Sequence, residues 1–304
     1  MMRKSPMKQE NRQTISGADF KEYFQPENLQ KALEIKAEYK EELKVAAGST
    51  DLLVANYEKL HEIEYWLDLV KLDELKEIKV KDNKLYIGAM VTHLDLMNSD
   101  LVKDKLSVLA AAAEDVGSPQ IRSRGTIGGN ICTSSPAGDL LAPLLSYEAS
   151  FKLQTEAGER IVKAEDFFTG PKRNIMEAEE LLTEIIIPMT ENRREGAWIK
   201  VGRRKALVIS TLTLAVVLEF EGEKIVKAGV AMGSVAPTPV RLKGIEEVMI
   251  DQKLSELDYK ALGKEVKSSI NPIDDLRGTK EYREDVSVDV MVRALNEIER
   301  KVSS

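Results

Sequence analysis

The 304-residue chain contains one cysteine, Cys132, and two histidines, His61 and His93. A single thiol cannot close an intramolecular disulfide, hold an iron–sulfur cluster or complete a cysteine zinc site, and two imidazoles exclude a histidine-rich metal centre. No apolar run approaches the roughly 18 residues of a membrane span, and residues 1–20 lack the apolar stretch of a secretory signal. Neither G-x-G-x-x-G nor G-x-x-x-x-G-K-[ST] occurs, so the dinucleotide fingerprint and the P-loop are both missing. A basic excess is also missing. With 44 Lys and Arg against 51 Asp and Glu, the net charge of −7 does not suit a general nucleic-acid or anionic-membrane binder. There is no internal repeat and no low-complexity tract.

What remains is a globular composition, 43% hydrophobic and 31% charged, on a chain long enough for two or three domains. It reads as a soluble intracellular protein. Residues 1–18 read as a flexible extension. Leu29, Ala32, Leu33 and Ala37 share a helical face behind a capping Asn28, and residues 43–47 form a strand stopped by Gly48. A helix opens at Leu52 after the cap-forming Ser49-Thr50-Asp51. Strands at 66–69, 78–80 and 85–88 follow, the last two turning at Asp82-Asn83. The chain turns helical from Thr92, with an alanine-rich helix over 106–116 that Gly117 stops. A second β region pairs 151–153 with 161–163 around Ala157-Gly158, and a strand at 185–187 ends at Pro188. The charged stretch 190–196 lacks periodicity and reads as a domain boundary. Beyond it come a hairpin around Gly222 and a helical, highly charged C-terminus from residue 246.

Three segments carry chemistry. Residues 125–138 hold 4 of the 18 glycines, where an even spread would give about one, and carry no charge. Small residues admit close approach to the backbone, so the segment reads either as an amide cradle for an anion or as a tight buried turn ahead of the apolar run 140–145. Cys132, without a charged neighbour, reads as a buried small hydrophobe. Residues 44–51 run from strand through Gly48 into a helix start, which places free N–H groups at one spot or simply caps a helix. Residues 198–205 form the densest basic cluster, either a solvated strand face or cations set near a cofactor or partner.

Together these segments resemble the FAD-binding medium subunits of molybdenum hydroxylases, the xanthine dehydrogenase and carbon monoxide dehydrogenase family. Ala47-Gly48-Ser49-Thr50-Asp51 resembles that family's A-G-G-T-D motif. Gln120-Ile121-Arg122 followed by Thr126-Ile127-Gly128-Gly129-Asn130-Ile131 is similar to its Q-I-R-x-x-x-T-I-G-G-N-I motif, continuing through Ser135-Pro136, Asp139 and Pro143. The strand Leu181-Leu182-Thr183-Glu184-Ile185 and Lys200 fall where the family has flavin contacts, and residues 233–241 resemble its C-terminal flavoprotein domain. Ser49 departs from the commoner glycine, which matters if the position needs φ > 0. The lone cysteine sets the chain apart from relatives whose flavin subunit carries an inserted four-iron cluster.

The resemblance implies an α+β fold: a two-lobed FAD-binding domain of the PCMH type (19–80 and 81–190), then a smaller α+β flavoprotein C-terminal domain (191–304). It implies that backbone groups of Val45, Ala46, Ala47, Gly48, Ser49, Thr50 and Asp51, and of Thr126, Ile127, Gly128, Gly129 and Asn130, hold the FAD pyrophosphate. Thr133 and Asp139 would contact flavin or ribityl groups, Leu182 would pack near the cofactor, and Lys200 would sit at the polar edge of the isoalloxazine. No residue of this chain is expected to be catalytic or to ligate a metal. Molybdenum cofactor and 2Fe-2S clusters belong to partner subunits, and NAD⁺ is the implied acceptor. The alternatives are a flavin-free structural subunit of such a complex and a stand-alone FAD-dependent reductase of related fold.

Overall fold

The computed structural model describes residues 21–57, 63–204 and 207–303. The expected N-terminal extension, 1–18, lies outside them. The first lobe contains β1 (Glu22–Phe24), α1 (Leu29–Tyr39), β2 (Leu43–Ala46), α2 (Leu52–Tyr57) and β3 (Tyr65–Asp68). Asn28 caps α1, its Oδ1 accepting the Lys31 amide at 2.9 Å, and Ala32, Leu33 and Ile35 bury one helix face with Leu43 and Leu67. The strands are parallel in the order β1-β3-β2, so β2 is an edge whose C-terminal end is where open α/β sheets bind ligands.

The second lobe opens with β4 (Ile78–Lys81) and β5 (Lys84–Gly88). Helices α3 (His93–Asn98), α4 (Asp100–Lys105), α5 (Ser107–Glu114), α6 (Pro119–Arg122), α7 (Ile127–Thr133) and α8 (Leu141–Ser146) follow. It closes with β6 (Ser150–Thr155), β7 (Gly158–Lys163), α9 (Ala164–Phe167), the short β8 (Phe168–Gly170) and β9 (Arg173–Asn174), and β10 (Leu181–Pro188). An antiparallel sheet in the order β4-β5-β10-β6-β7 carries the main core. Asp82 and Asn83 both take positive φ, 49° and 54°, the conformation a two-residue hairpin demands. This sheet begins at Ile78, three residues ahead of the lobe limit read from the sequence. The helical region from Thr92 is divided at Ser99, which ends α3 and caps α4, and again at Leu106; the alanine-rich helix runs from Ser107 to Glu114, shorter than 106–116. The β6–β7 turn is Glu156-Ala157, with Gly158 already in the ladder.

The last unit contains β11 (Arg193–Val201), β12 (Leu212–Glu221), β13 (Lys224–Gly233), β14 (Val240–Arg241), α10 (Lys243–Met249), α11 (Tyr259–Ser269) and α12 (Lys280–Ser303). Its four strands form an antiparallel meander. Much of the aperiodic stretch 190–196 is strand: Arg193 through Gly196 pair with Phe220 through Val217 of β12. Its charges hide the pattern because they are satisfied, Arg194 bonding Glu219 at 2.7 Å and Arg193 bonding the Lys301 carbonyl at 2.7 Å. The two faces of β12 serve different cores. Leu214, Val216 and Leu218 join the core built with α10, α11 and α12, while Ala215 and Val217 join that of the second lobe. One sheet is thereby sealed between two helical layers, fixing this unit on the second lobe.

Candidate cofactor site

β2 ends at Ala46 and the chain turns through Ala47, Gly48, Ser49, Thr50 and Asp51 into α2. Among the described residues, no main-chain amide from Ala47 to Asp51 donates a hydrogen bond. A row of free N–H groups at a sheet edge is the donor set an anion requires. Ser49 has φ +59°, so the departure from glycine falls where the backbone is left-handed. Ser49→Gly should be tolerated, whereas the branched Ser49→Val should cost about 1–2 kcal/mol in a urea titration. Equal stability of the two variants would refute the strain.

This turn touches the second motif. A Cβ added to Gly48 would lie 1.9 Å from the Arg124 carbonyl oxygen, so the two backbones are in contact, and Thr133 Oγ1 donates to Asp51 Oδ2 at 3.4 Å. The second motif is not a loop. Thr126 caps α7 by accepting the Gly129 amide at 3.0 Å, and the two glycines lie in its first turn. Gly128 is required by close approach, since a Cβ would meet the Ala89 carbonyl oxygen at 2.6 Å. The Ile127 and Gly128 amides donate to Val91 and Ala89, and that of Asn130 to Thr126. The amides of these four residues are therefore committed within the fold, which differs from the cradle expected of them. What this segment offers instead is side chains: Asn130 Oδ1 is buried without a partner, beside Thr133 on the same helix.

The third segment reaches in from β11. Lys200 Nζ donates to Asp139 Oδ2 at 2.7 Å and to the Asp115 carbonyl at 2.8 Å, with Lys200 and Asp139 both mostly buried. Trp198 Nε1 donates to Asp115 Oδ2 at 2.8 Å. Burial pushes the Asp139 carboxyl up to about 6 despite the cation beside it, and its Oδ1 is buried without a partner. Leu182 lies in the second-lobe core, with Thr183 next to it accepting the Ala89 amide; Ala46 is buried and Val45 half-buried against the first-lobe core. Lys205, the end of the basic cluster, lies outside the described residues.

Two residues escaped the sequence reading. Asp115 carries no motif and matters because it follows α5 where Lys200 and Trp198 arrive. His93 is buried behind Gly125, its Nδ1 unpartnered, and burial together with nearby Arg122 pulls its pKa down to about 4, so it is neutral. Cys132 is partly buried against the second-lobe core, less enclosed than the sequence suggests; desolvation pushes its thiol up to about 12, and its sulfur lies 3.7 Å from that of Met176. Among the described residues no group of three or more His, Cys, Asp or Glu is placed to hold a metal, and no helix is long and apolar enough to cross a membrane.

A family model described as the FAD binding domain in molybdopterin dehydrogenase matches residues 18–190, and the CO dehydrogenase flavoprotein C-terminal domain matches residues 197–298. The chain belongs to the FAD-binding medium subunits of the molybdenum hydroxylases. It is 33% identical over 239 residues to the nicotinate dehydrogenase FAD-subunit of Eubacterium barkeri, covering 77% of this chain and 81% of that one. To the glyceraldehyde dehydrogenase medium chain of Sulfolobus acidocaldarius it is 32% identical over 276 residues, covering 91% and 97%. Among solved structures, carbon monoxide dehydrogenase from Hydrogenophaga pseudoflava superposes with a TM-score of 0.88 at 29% identity, covering 93% of this chain and 98% of that one. The residues present fit FAD. Free amides at Ala47 to Asp51 suit a diphosphate, and the orphaned oxygens of Asn130 and Asp139 suit hydroxyl or ring N–H donors.

Proposed function

We propose that this chain is the flavin-bearing electron relay of a hetero-oligomeric molybdenum hydroxylase, working in the cytoplasm and passing electrons to NAD⁺. The observation that carries the reading is the contact of the turn bearing free amides from Ala47 to Asp51 with the second motif, through Gly48 against the Arg124 carbonyl and Asp51 with Thr133; the unpartnered oxygens of Asn130 and Asp139 and the Lys200 ammonium held on Asp139 support it. Bound FAD would supply the redox chemistry, receiving electrons from a partner's 2Fe-2S clusters after hydroxylation at a molybdenum cofactor in another subunit. The protein binds and orients. Gly48, Ser49, Thr50 and Asp51 would hold the diphosphate with main-chain N–H groups. Thr133 and Asp139 would take ribityl or ring hydrogen bonds, Leu182 would back the α7 side of the site, and Lys200 would place positive charge at the polar edge of the ring. Relatives named for nicotinate and xanthine support a nitrogen heteroaromatic substrate, bound on the molybdenum subunit.

The full native complex, purified and supplied with substrate, should contain flavin, iron and molybdenum and should convert NAD⁺ to NADH. A complex with no flavin even after FAD addition would make the chain a scaffold. A flavin-loaded chain that never co-purifies with iron–sulfur and molybdenum subunits would make it a solitary reductase. Substrate turnover with flavin but no NADH would move the acceptor elsewhere.

A further inference from the structure

The C-terminal unit meets the second lobe around a cavity of about 190 Å³ that none of the candidate cofactor residues line. That is smaller than the ~300–1,000 Å³ of sites for drug-sized ligands, so it suits a molecule of a few heavy atoms. Leu145, Ala149, Ala164 and Pro188 supply its apolar lining, the first three almost fully buried. The polar lining combines Glu148, Ser150, Lys163 and Glu165 of the second lobe with Arg241 at the end of β14. Ser150 and Lys163 are register partners in the β6–β7 ladder, which sets their side chains on one face of the sheet.

Its carboxylates are taken and its donors are free. Lys227 and Arg241 bind Glu148, Arg241 at 2.9 Å, and Lys243 binds Glu165 at 2.7 Å. Burial works against the Glu148 charge, yet those two cations hold its carboxyl below the usual carboxylate range, as Lys243 does for Glu165. Arg241 Nε is spent on Glu246, 2.8 and 3.0 Å from its two oxygens. Three carboxylates thus face four cations, and one positive charge is left over. Three donors have no hydrogen bond among the described residues: Arg241 Nη1, the Ser150 hydroxyl, and Lys163 Nζ, which stands 3.9 Å from Glu165. Neither Arg241 Nη1 nor the Ser150 hydroxyl is sealed from solvent. Donors from three strands beside an apolar surface, with both lining carboxylates already claimed, select an anion that carries carbon.

We propose that this cavity binds a short aliphatic carboxylate, its carboxylate group on Arg241, Lys163 and Ser150 and its carbon chain on the apolar lining. Such a ligand bridges β14 of the C-terminal unit and the β6–β7 pair of the second lobe, so it binds the folded chain and raises its unfolding temperature. The proposal is independent of the relay reading and needs no flavin. Butyrate is the probe, titrated into the full chain at fixed ionic strength and followed by calorimetry and by thermal unfolding. Binding should be saturable, with the neutral butyramide about tenfold or more weaker for want of a charge, and inorganic phosphate weaker for want of a chain. Lys163→Glu should weaken butyrate about tenfold or more and Ser150→Ala about fivefold. The free variants should unfold at the temperature of the unsubstituted chain, because the side chains removed make no hydrogen bond in it. An unsubstituted chain with no saturable butyrate binding overturns the site, and so does equal binding by Lys163→Glu, which would put the ligand elsewhere. Phosphate or butyramide binding as tightly as butyrate overturns the assignment to a carboxylate.

Discussion

Replacing Lys200 by methionine is expected to cost about 3–5 kcal/mol of folding stability, because it strands a buried carboxylate. Asp139 has Lys200 Nζ at 2.7 Å as the partner of one oxygen and nothing for the other. Removing the cation leaves both oxygens without a donor in an environment that already disfavours the charge. Urea unfolding of Lys200→Met should show the loss, and Lys200→Met/Asp139→Asn should recover most of it, since the double variant buries no charge. Equal costs for the single and double variants would mean that Lys200 acts only through its bond to the Asp115 carbonyl.

The same pair predicts a pH dependence whose sign follows from the raised Asp139 pKa. The folded protein holds the Asp139 proton up to about 6, whereas the unfolded chain releases it in the ordinary carboxylate range. Between those limits the folded state binds more protons, so this group's contribution to stability falls as pH rises. Asp139→Asn should flatten the stability profile over roughly pH 4–6, and Lys200→Met should extend the decline to higher pH. In the FAD-loaded chain, Lys200→Met/Asp139→Asn tests the proposed cation at the ring. A lower flavin reduction potential supports it, and an unchanged potential removes Lys200 from that role.

How much of this could be read in advance divides by the range of the interaction. The Asp82-Asn83 hairpin, the Asn28 cap and the long β12–β13 pair were legible because each rests on neighbours in sequence. The glycine-rich segment was legible as a site component but not as a helix. Two consecutive glycines disfavour a helix by about 1 kcal/mol each, and only the Thr126 cap and the backbone contact of Gly128 with Ala89 override that. For the same reason its committed amides could not be foreseen: Val91 and Ala89 accept them from a different stretch of chain. The strand at Arg193 was hidden by charges whose partners, Glu219 and the end of α12, lie far along the sequence. Asp115 was invisible, because a residue with no motif becomes important only when folding brings Lys200 and Trp198 to it.

Gly48→Ala tests the contact on which the candidate site depends. The new methyl carbon would stand 1.9 Å from the Arg124 carbonyl oxygen and 2.6 Å from its carbon. Both are backbone atoms, so no rotamer change relieves the overlap, and either the turn or the start of the second motif must move. A forced shift of this kind costs about 3 kcal/mol. It also carries the amides from Ala47 to Asp51 away from Thr133 and Asn130, and losing two hydrogen bonds to a charged diphosphate would weaken FAD binding by about 100-fold. Gly158→Ala is the matched control, because a Cβ there meets nothing within 4 Å and should change neither stability nor flavin content. Flavin titration of the two variants separates the possibilities. If Gly48→Ala binds FAD as tightly as Gly158→Ala, the turn after β2 is not what holds the diphosphate, and the committed amides of α7 would have to be released to do so.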